Sequence, residues 1–402
     1  MVRRLIVNTA RLVLAITFIL SGFVKAVDPL GTLYKINDYL VAMHMGGLLS
    51  DWLALGASVL QSAVEFCLGI FLLFAIQRRL TSRLILLIMM VMTPLTLWLA
   101  IANPISDCGC FGDALVLTNW QTFWKNVALL VCAVVVAWWP KEMFRFISES
   151  NQWIVINYSA LFILAVSVWS LYYLPIFDFR PYHIGTDLRQ QWQRTMEGED
   201  LPYADFFIDN TYEEVDLTEQ VLADTSYVFL LVSPFLEQAD DSRLDLINEL
   251  YEYAHEHSYA FYCLTSSTHQ NIDRWREMTG AEYPFCTTDG ITLKTVIRSN
   301  PGVVLLKNGT IIRKWSHNNL PEFNESQSVL PLEKLPEGHL PTTTAAEKIA
   351  ALLMWFVLPL TLLSLADRTW MWTRWLRRRK KNVNENVNDN NKENKQQNEK
   401  EK

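Results

Sequence analysis

Hydrophobic residues along this chain fall into two patterns. Up to about residue 175, and again near residue 350, they run on for roughly the twenty positions a bilayer demands, whereas between 225 and 320 they come in short runs at strand or helix spacing. A hydrocarbon core of ~30 Å takes about 17 to 25 apolar residues in a helix. Six stretches qualify: residues 5–24, 52–76, 84–102, 123–139, 153–174 and 346–365. Arg3 and Arg4 precede the first as they would a secretory signal, but no small-residue cleavage site follows and further spans do, so it is expected to stay in place.

The short runs predict an α/β domain. Residues 227–232 read as a buried strand, 242–257 as a helix with Leu244, Ile247, Leu250, Tyr251 and Ala254 on one face, 260–264 as a second strand and 270–278 as a short helix. Residues 303–306 and 311–315 flank Lys307-Asn308-Gly309-Thr310, and an Asn-Gly pair between apolar runs is a strong hairpin signal. After Ser21 to Gly31, near the outer end of the first span, the amphipathic stretch through Tyr34, Ile36, Tyr39 and Leu40 reads as an interfacial helix lying on the membrane surface. Pro94, between Thr93 and Thr96, should kink the third span while the threonines re-satisfy the freed carbonyls.

Composition supports this division: 50% of the residues are hydrophobic, 15 are Trp and only 19% are charged, more apolar surface than a soluble core of this length uses. Basic residues orient the spans. Arg3 and Arg4, then Arg78, Arg79 and Arg83, then Lys141 and Arg145, then Arg368 to Lys381 all fall on one side when there are six spans, and cytoplasmic loops are the basic ones. Both termini are then cytoplasmic, with the Cys108 loop, residues 25–51 and the large domain at 178–341 facing outward. The net charge of −7 gives no sign of a nucleic-acid site. The basic run at 377–381 is a positive-inside anchor that can also hold anionic lipid, residues 330–341 form a linker, and the Asn/Lys/Glu-rich residues from 382 read as a solvated tail.

Chemistry centres on Cys108-Gly109-Cys110-Phe111-Gly112, a short loop between the third and fourth spans. A close thiol pair can form a small, strained and exchangeable disulfide ring; it can equally be a rigid loop in which the glycines supply the turn, while two thiolates fall short of the four ligands of a structural zinc site. Cys67 and Cys132 read as small core residues or as relay thiols, and counting along the helix puts Cys67 ~22 Å below the outer end of its span, out of Cys108's direct reach. Glu65 is a carboxylate in an apolar span. It calls for a partner, with Gln61 and Lys25 the candidates, or for a protonated, proton-carrying state, or it fixes helix packing.

Ser21-Gly22-Phe23-Val24-Lys25 with Asp28-Pro29, Glu65 with Gly69, and above all the Cys-Gly-Cys-Phe-Gly run together resemble the DoxX-like superfamily of four-helix membrane proteins, and the MauE branch in particular, over about residues 1–140. That resemblance implies a redox role for Cys108 and Cys110: MauE-like proteins are associated with periplasmic disulfide formation during methylamine dehydrogenase maturation, and other DoxX relatives with quinone-linked thiosulfate oxidation. The α/β domain resembles a thioredoxin-like fold over about residues 225–320, with Asn300-Pro301 at the place of that family's cis-proline. It departs where the family carries Cys-x-x-Cys: this chain has Ser233-Pro234-Phe235-Leu236-Glu237-Gln238. Of the remaining thiols, Cys263 is expected to be buried and Cys286 the more exposed, and the two could pair.

The sequence therefore describes a polytopic α-helical membrane protein. It comprises a four-helix domain (1–140), a fifth span (141–177), an inserted α/β domain (178–341), a sixth span (342–366) and a cytoplasmic tail (367–402). One function is disulfide exchange in the inner membrane with a periplasmic thiol protein through Cys108 and Cys110, with quinone as the implied acceptor. The other is a non-catalytic scaffold whose thioredoxin-like domain binds an envelope complex. A Glu65-based solute transporter would need polar residues on several facing spans, and the sequence does not supply them.

Overall fold

A computed structural model describes residues 1–377 and 379, apart from 106, 200, 202, 204, 205, 214 and 322–343. The expected linker at 330–341 and the tail from 382 lie outside the described residues. α1 (Val2–Val27) leads into a shorter α2 (Pro29–Ala42), followed by α3 (Asp51–Phe74), α4 (Arg78–Ala102), α5 (Asn119–Trp138), α6 (Gln152–Tyr172) and a last helix, Ala345–Arg377. All but α2 are long and apolar enough to cross a membrane. The last one runs past its expected end: a π-turn at Leu353–Val357 is absorbed and the helix continues through Arg368, Arg374 and Arg377.

α1, α3, α4 and α5 share one core, with Leu14 and Phe18 of α1 packed among Leu68 and Leu72, Ile85 and Met89, and Leu129 and Ala133. The tightest pair is α1 with α3. A Cβ on Gly22 would stand 2.4 Å from the backbone nitrogen of Phe66, so only glycine lets the two helices approach this far. That approach sets Ser21 and Lys25 against Glu65. α6 and the last helix pack on the outside of α3, where Phe356 meets Phe162 at 4.3 Å and Phe66 at 5.3 Å between ring centroids.

Pro94 is accommodated within a continuous α4. The carbonyl it frees is Met90's, yet Thr93 donates to Met89 (2.7 Å) and Thr96 to the Met92 and Thr93 carbonyls (both 3.0 Å). The threonines therefore brace the turns on either side of the gap and leave the freed carbonyl itself alone.

The basic loops gather at one end of the bundle. Glu142 pairs with Arg3 and Arg4, Arg78 donates to the carbonyls of Lys141 and Met143, and Asp367 accepts from Ser148 and Asn151. The α/β domain stands at the other end. Its elements are α7 (Leu188–Met196), β1 (Asp209–Asn210), α8 (Thr218–Ala223), β2 (Tyr227–Val232), α9 (Leu244–Glu256), β3 (Ala260–Thr265), α10 (His269–Thr279), β4 (Phe285–Thr287), α11 (Gly290–Val296), β5 (Gly302–Lys307) and β6 (Thr310–Ser316). The sheet order is β1-β4-β3-β2-β5-β6; β2, β3 and β4 are parallel, β5 runs antiparallel to β2, and β6 runs antiparallel to β5. With a cis Asn300-Pro301 bond just before β5, this arrangement is consistent with a thioredoxin-like domain.

Two expectations about cysteines change here. Cys286 is fully buried, because the run after Pro284 is a short strand parallel to β3 and not an exposed loop. Cys263 and Cys286 also cannot pair: their registers differ by one residue on neighbouring strands, so Cys263 points into one core and Cys286 into the core on the opposite face. Burial holds both thiols up, Cys286 to about 12.

Candidate functional site

The Cys-Gly-Cys loop between the third and fourth spans, expected to face outward, folds down into the membrane domain. Ser21 Oγ, six residues before the end of α1, lies 2.8 Å from the carbonyl of Cys110, which shares the one hydroxyl proton with Glu65; this places the loop roughly 9 Å below that helix end. Gly109 carries φ +66° and Gly112 φ +50°, so the turn that inverts the chain at this depth uses a conformation glycine alone adopts freely. The two sulfurs stand 2.7 Å apart, both thiols free, with Cys108 buried and Cys110 half-buried.

Around them the helices supply a polar cluster. Lys25 Nζ donates to both carboxylate oxygens of Glu65 at 2.7 Å; Ser21 (2.7 Å) and Gln61 (3.2 Å) donate to the same carboxylate. The sequence offered Lys25 and Gln61 as alternative partners, and both are used. Glu65 is thus a saturated anion that holds Lys25 and Ser21 in place, which does not favour a protonated, proton-carrying carboxyl. Tyr39 donates to the carbonyl of Cys108 at 2.9 Å, Lys35 pairs with Asp107 at 2.6 Å, and Asp107 accepts from the Gly109 amide. α2 is therefore no free interfacial helix. It packs on α3 and clamps the cysteine loop with two of its side chains, contacts that no spacing rule announces.

The thiols are not equivalent. Cys110 is held down to about 6, first because its sulfur accepts a hydrogen bond from Cys108 and then because the ammonium groups of Lys125 and Lys25 favour its thiolate against the cost of burial. Cys108 is pushed up by the same hydrogen bond and by burial. In the reduced protein, iodoacetamide labelling of Cys110 should accelerate as pH rises through about 6, where the thiolate is gained, and Lys125→Met should move that midpoint upward. A midpoint at the ordinary thiol value of ~8.5, read by peptide mass spectrometry, would contradict the assignment.

Two spaces open onto the loop. A cavity of about 370 Å³ is walled by Ile36, Val64, Ile88, Met92 and Leu95 and edged by Lys25, Tyr39, Gln61, Glu65 and both cysteines. A second, of about 490 Å³, lies between the membrane domain and the α/β domain and is bordered by Gly109, Gly112, Tyr34, Lys294 and Arg298. Gly109 borders both. Cys67 and Cys132 instead pack against helix cores. Among the described residues no three His, Cys, Asp or Glu converge as a metal site.

The α/β domain is fastened over this cleft. Arg298, buried, binds Asp28 with Nε at 3.1 and 3.0 Å and a terminal nitrogen at 2.9 Å, and stacks 5.2 Å above the Tyr34 ring. Lys294 lies between Tyr34 (5.0 Å) and Phe235 (4.7 Å). Phe235 belongs to the segment that replaces Cys-x-x-Cys, and that segment is locked by hydrogen bonds: Ser233 to Asn300 (2.6 Å), Asn300 to the Phe235 carbonyl (2.9 Å), Leu236 N to Ser267 (2.9 Å) and Ser267 to Glu237 (2.8 Å). Near it Ser299, His317 and Asp240 meet, but Ser299 donates to the Pro301 carbonyl and Asp240 is 3.7 Å from the ring, so the trio knots the chain and is no nucleophile.

Comparison with protein families matches residues 3–139 to methylamine utilisation protein MauE. No curated protein matches. Among solved structures, "Solution structure of a putative protein disulfide isomerase from Bacteroides thetaiotaomicron" is similar over 29% of this chain and 76% of its own, at 16% identity and a TM-score of 0.22. The chain is a multi-pass membrane protein with a MauE-like region and a separate α/β domain.

Proposed function

We propose that this protein exchanges disulfides with an extracytoplasmic thiol partner through Cys108 and Cys110, from a bacterial-type inner membrane with both termini cytoplasmic. The observation that carries the reading is the unequal thiol pair, 2.7 Å apart, set against two lysines at the meeting of two cavities. The MauE match over residues 3–139 and the basic residues gathered at the end away from the loop support it.

From the oxidised state, a partner thiolate attacks Cys108; a partner–Cys108 disulfide forms and the Cys108–Cys110 bond breaks. Its electron pair leaves on Cys110, the better leaving group because its thiolate is the stabilised one. The partner's second thiolate then attacks its own sulfur in the mixed disulfide and releases Cys108, which takes a proton. The partner is oxidised by two electrons and the Cys108/Cys110 pair reduced by two. Glu65, through Lys25 and Ser21, acts as a positioning residue.

A quinone, the acceptor implied by the wider DoxX-like resemblance, fits the donor set of the 370 Å³ cavity: aliphatic walls, with Lys25, Tyr39 and Gln61 as donors beside the thiols. Bound there, it would take up the two electrons. The α/β domain has no thiol at its own active-site position, and its locked segment faces the membrane domain, so its contribution is docking.

The test is to express the full chain as Cys110→Ser and as Cys108→Ser, quench with acid and separate without reductant. A mixed disulfide is expected in Cys110→Ser, through Cys108, and much less in Cys108→Ser. Its absence from both would leave the scaffold reading, with a structural cysteine loop, in front.

A further inference from the structure

The end of the bundle opposite the cysteines carries a second constructed space. A pocket of about 490 Å³ is lined by Gln77, Arg78, Arg79, Leu80, Pro140, Lys141 and Arg145, four cations and no carboxylate. Of the nearby acids, Glu142 holds Arg3 and Arg4 away from the pocket, while Glu149 holds one terminal nitrogen of the pocket's own Arg145 at 2.6 Å. Arg78 spends a terminal nitrogen on the carbonyls of Lys141 and Met143 (both 3.0 Å), which pins the start of α4 to the loop after α5 and fixes the pocket's walls.

Three observations ask for an anion here. On the part-exposed Arg145 side chain, whose terminal nitrogen Glu149 holds, the Nε atom is shielded from solvent and has no hydrogen-bond partner. α4 begins without a side-chain cap; the Gln77 carbonyl takes the amides of Leu80 and Thr81 but no side chain caps those of Arg78 and Arg79, and a long helix presents positive potential at that end. Arg79 and Lys141 extend into solvent around the same space with no acidic partner among the described residues.

The source follows from position. The pocket sits where α4 begins and α5 ends, with Trp138 and Trp139 exposed at the same level, the depth at which aromatic residues mark the headgroup layer. We propose that this pocket binds the phosphate of an anionic phospholipid headgroup from the cytoplasmic-side leaflet, accepting hydrogen bonds from Arg79, Lys141 and Arg145 and from the first turn of α4.

The experiment compares the full-length protein, its Arg79→Gln/Lys141→Gln variant and Arg83→Gln in nanodiscs of phosphatidylcholine with increasing phosphatidylglycerol, counting retained lipid by native mass spectrometry. Arg79 and Lys141 are exposed and Arg83, also exposed, lies one turn further along α4 outside the pocket, so none of the three touches the core. The double variant is expected to bind phosphatidylglycerol roughly 20- to 30-fold more weakly, about fivefold per cation near the surface, with Arg83→Gln close to the unmodified protein. An equal loss in Arg83→Gln, or no loss in the double variant, would overturn the site. Displacement of the lipid by millimolar inorganic phosphate would overturn the lipid as its source and leave a free phosphate in its place.

Discussion

Lys25→Met is expected to destabilise the protein by about 3–5 kcal/mol. Removing one partner of a buried ion pair strands the other, and Glu65 would keep only Ser21 and Gln61 as donors. Lys25→Met/Glu65→Leu should recover most of that loss, since an apolar pair at the same place strands no charge. Thermal unfolding in detergent, followed by retained tryptophan fluorescence, measures the cycle. If the double variant is as unstable as the single one, the pair is not what Lys25 contributes. The double variant should also slow disulfide exchange, because the Cys110 thiolate then loses the Lys25 ammonium beside it.

Arg298→Met should release the α/β domain from the membrane domain. Truncating a buried hydrogen-bonded charge costs about 2–5 kcal/mol at an interface, and this one leaves Asp28 with its α2 amide bond and little else. Asp28 is held below the usual carboxylate range by Arg298 and Arg180 against burial. A depressed carboxylate contributes its stability above its unfolded pKa, so docking should be fully present at neutral pH and weaken as pH falls through the acid range. Limited proteolysis of the joining segments and the rate of maleimide labelling at Cys108 and Cys110 should both rise in Arg298→Met. Unchanged rates would mean that the bridge does not govern access to the thiols.

How much of this was legible in the sequence differs by kind of contact. The six spans were readable because bilayer thickness dictates helix length, and Lys25 with Gln61 could be named because a carboxylate in an apolar helix must find a partner one turn away or at a neighbouring helix end. The hairpin at Asn308-Gly309 and the β2–α9–β3 unit followed from local signals. β4 did not: three residues give no periodicity, so Cys286 was placed outside when it is inside.

The depth of the cysteine loop was also hidden, since a polar loop between spans normally marks a surface, and only the Ser21, Tyr39 and Asp107 contacts show it folded inward. Least legible was the Arg298–Asp28 bridge, whose ends lie 270 positions apart in the chain. Nothing local distinguishes Arg298 from any other arginine of the domain, and its role depends on how two separately folded units meet.

The central claim, that Cys108 and Cys110 cycle between dithiol and disulfide, is tested most directly in intact cells. The thiols are trapped with a membrane-impermeant maleimide of known mass before and after a pulse of reductant followed by its removal, and the labels on the peptide containing both cysteines are counted. The expected result is no label before the pulse, two labels during it, and a return to none when oxidising equivalents are restored. A pair that carries two labels throughout, or none even under reductant that opens other extracytoplasmic disulfides, would contradict exchange and make the loop a structural one.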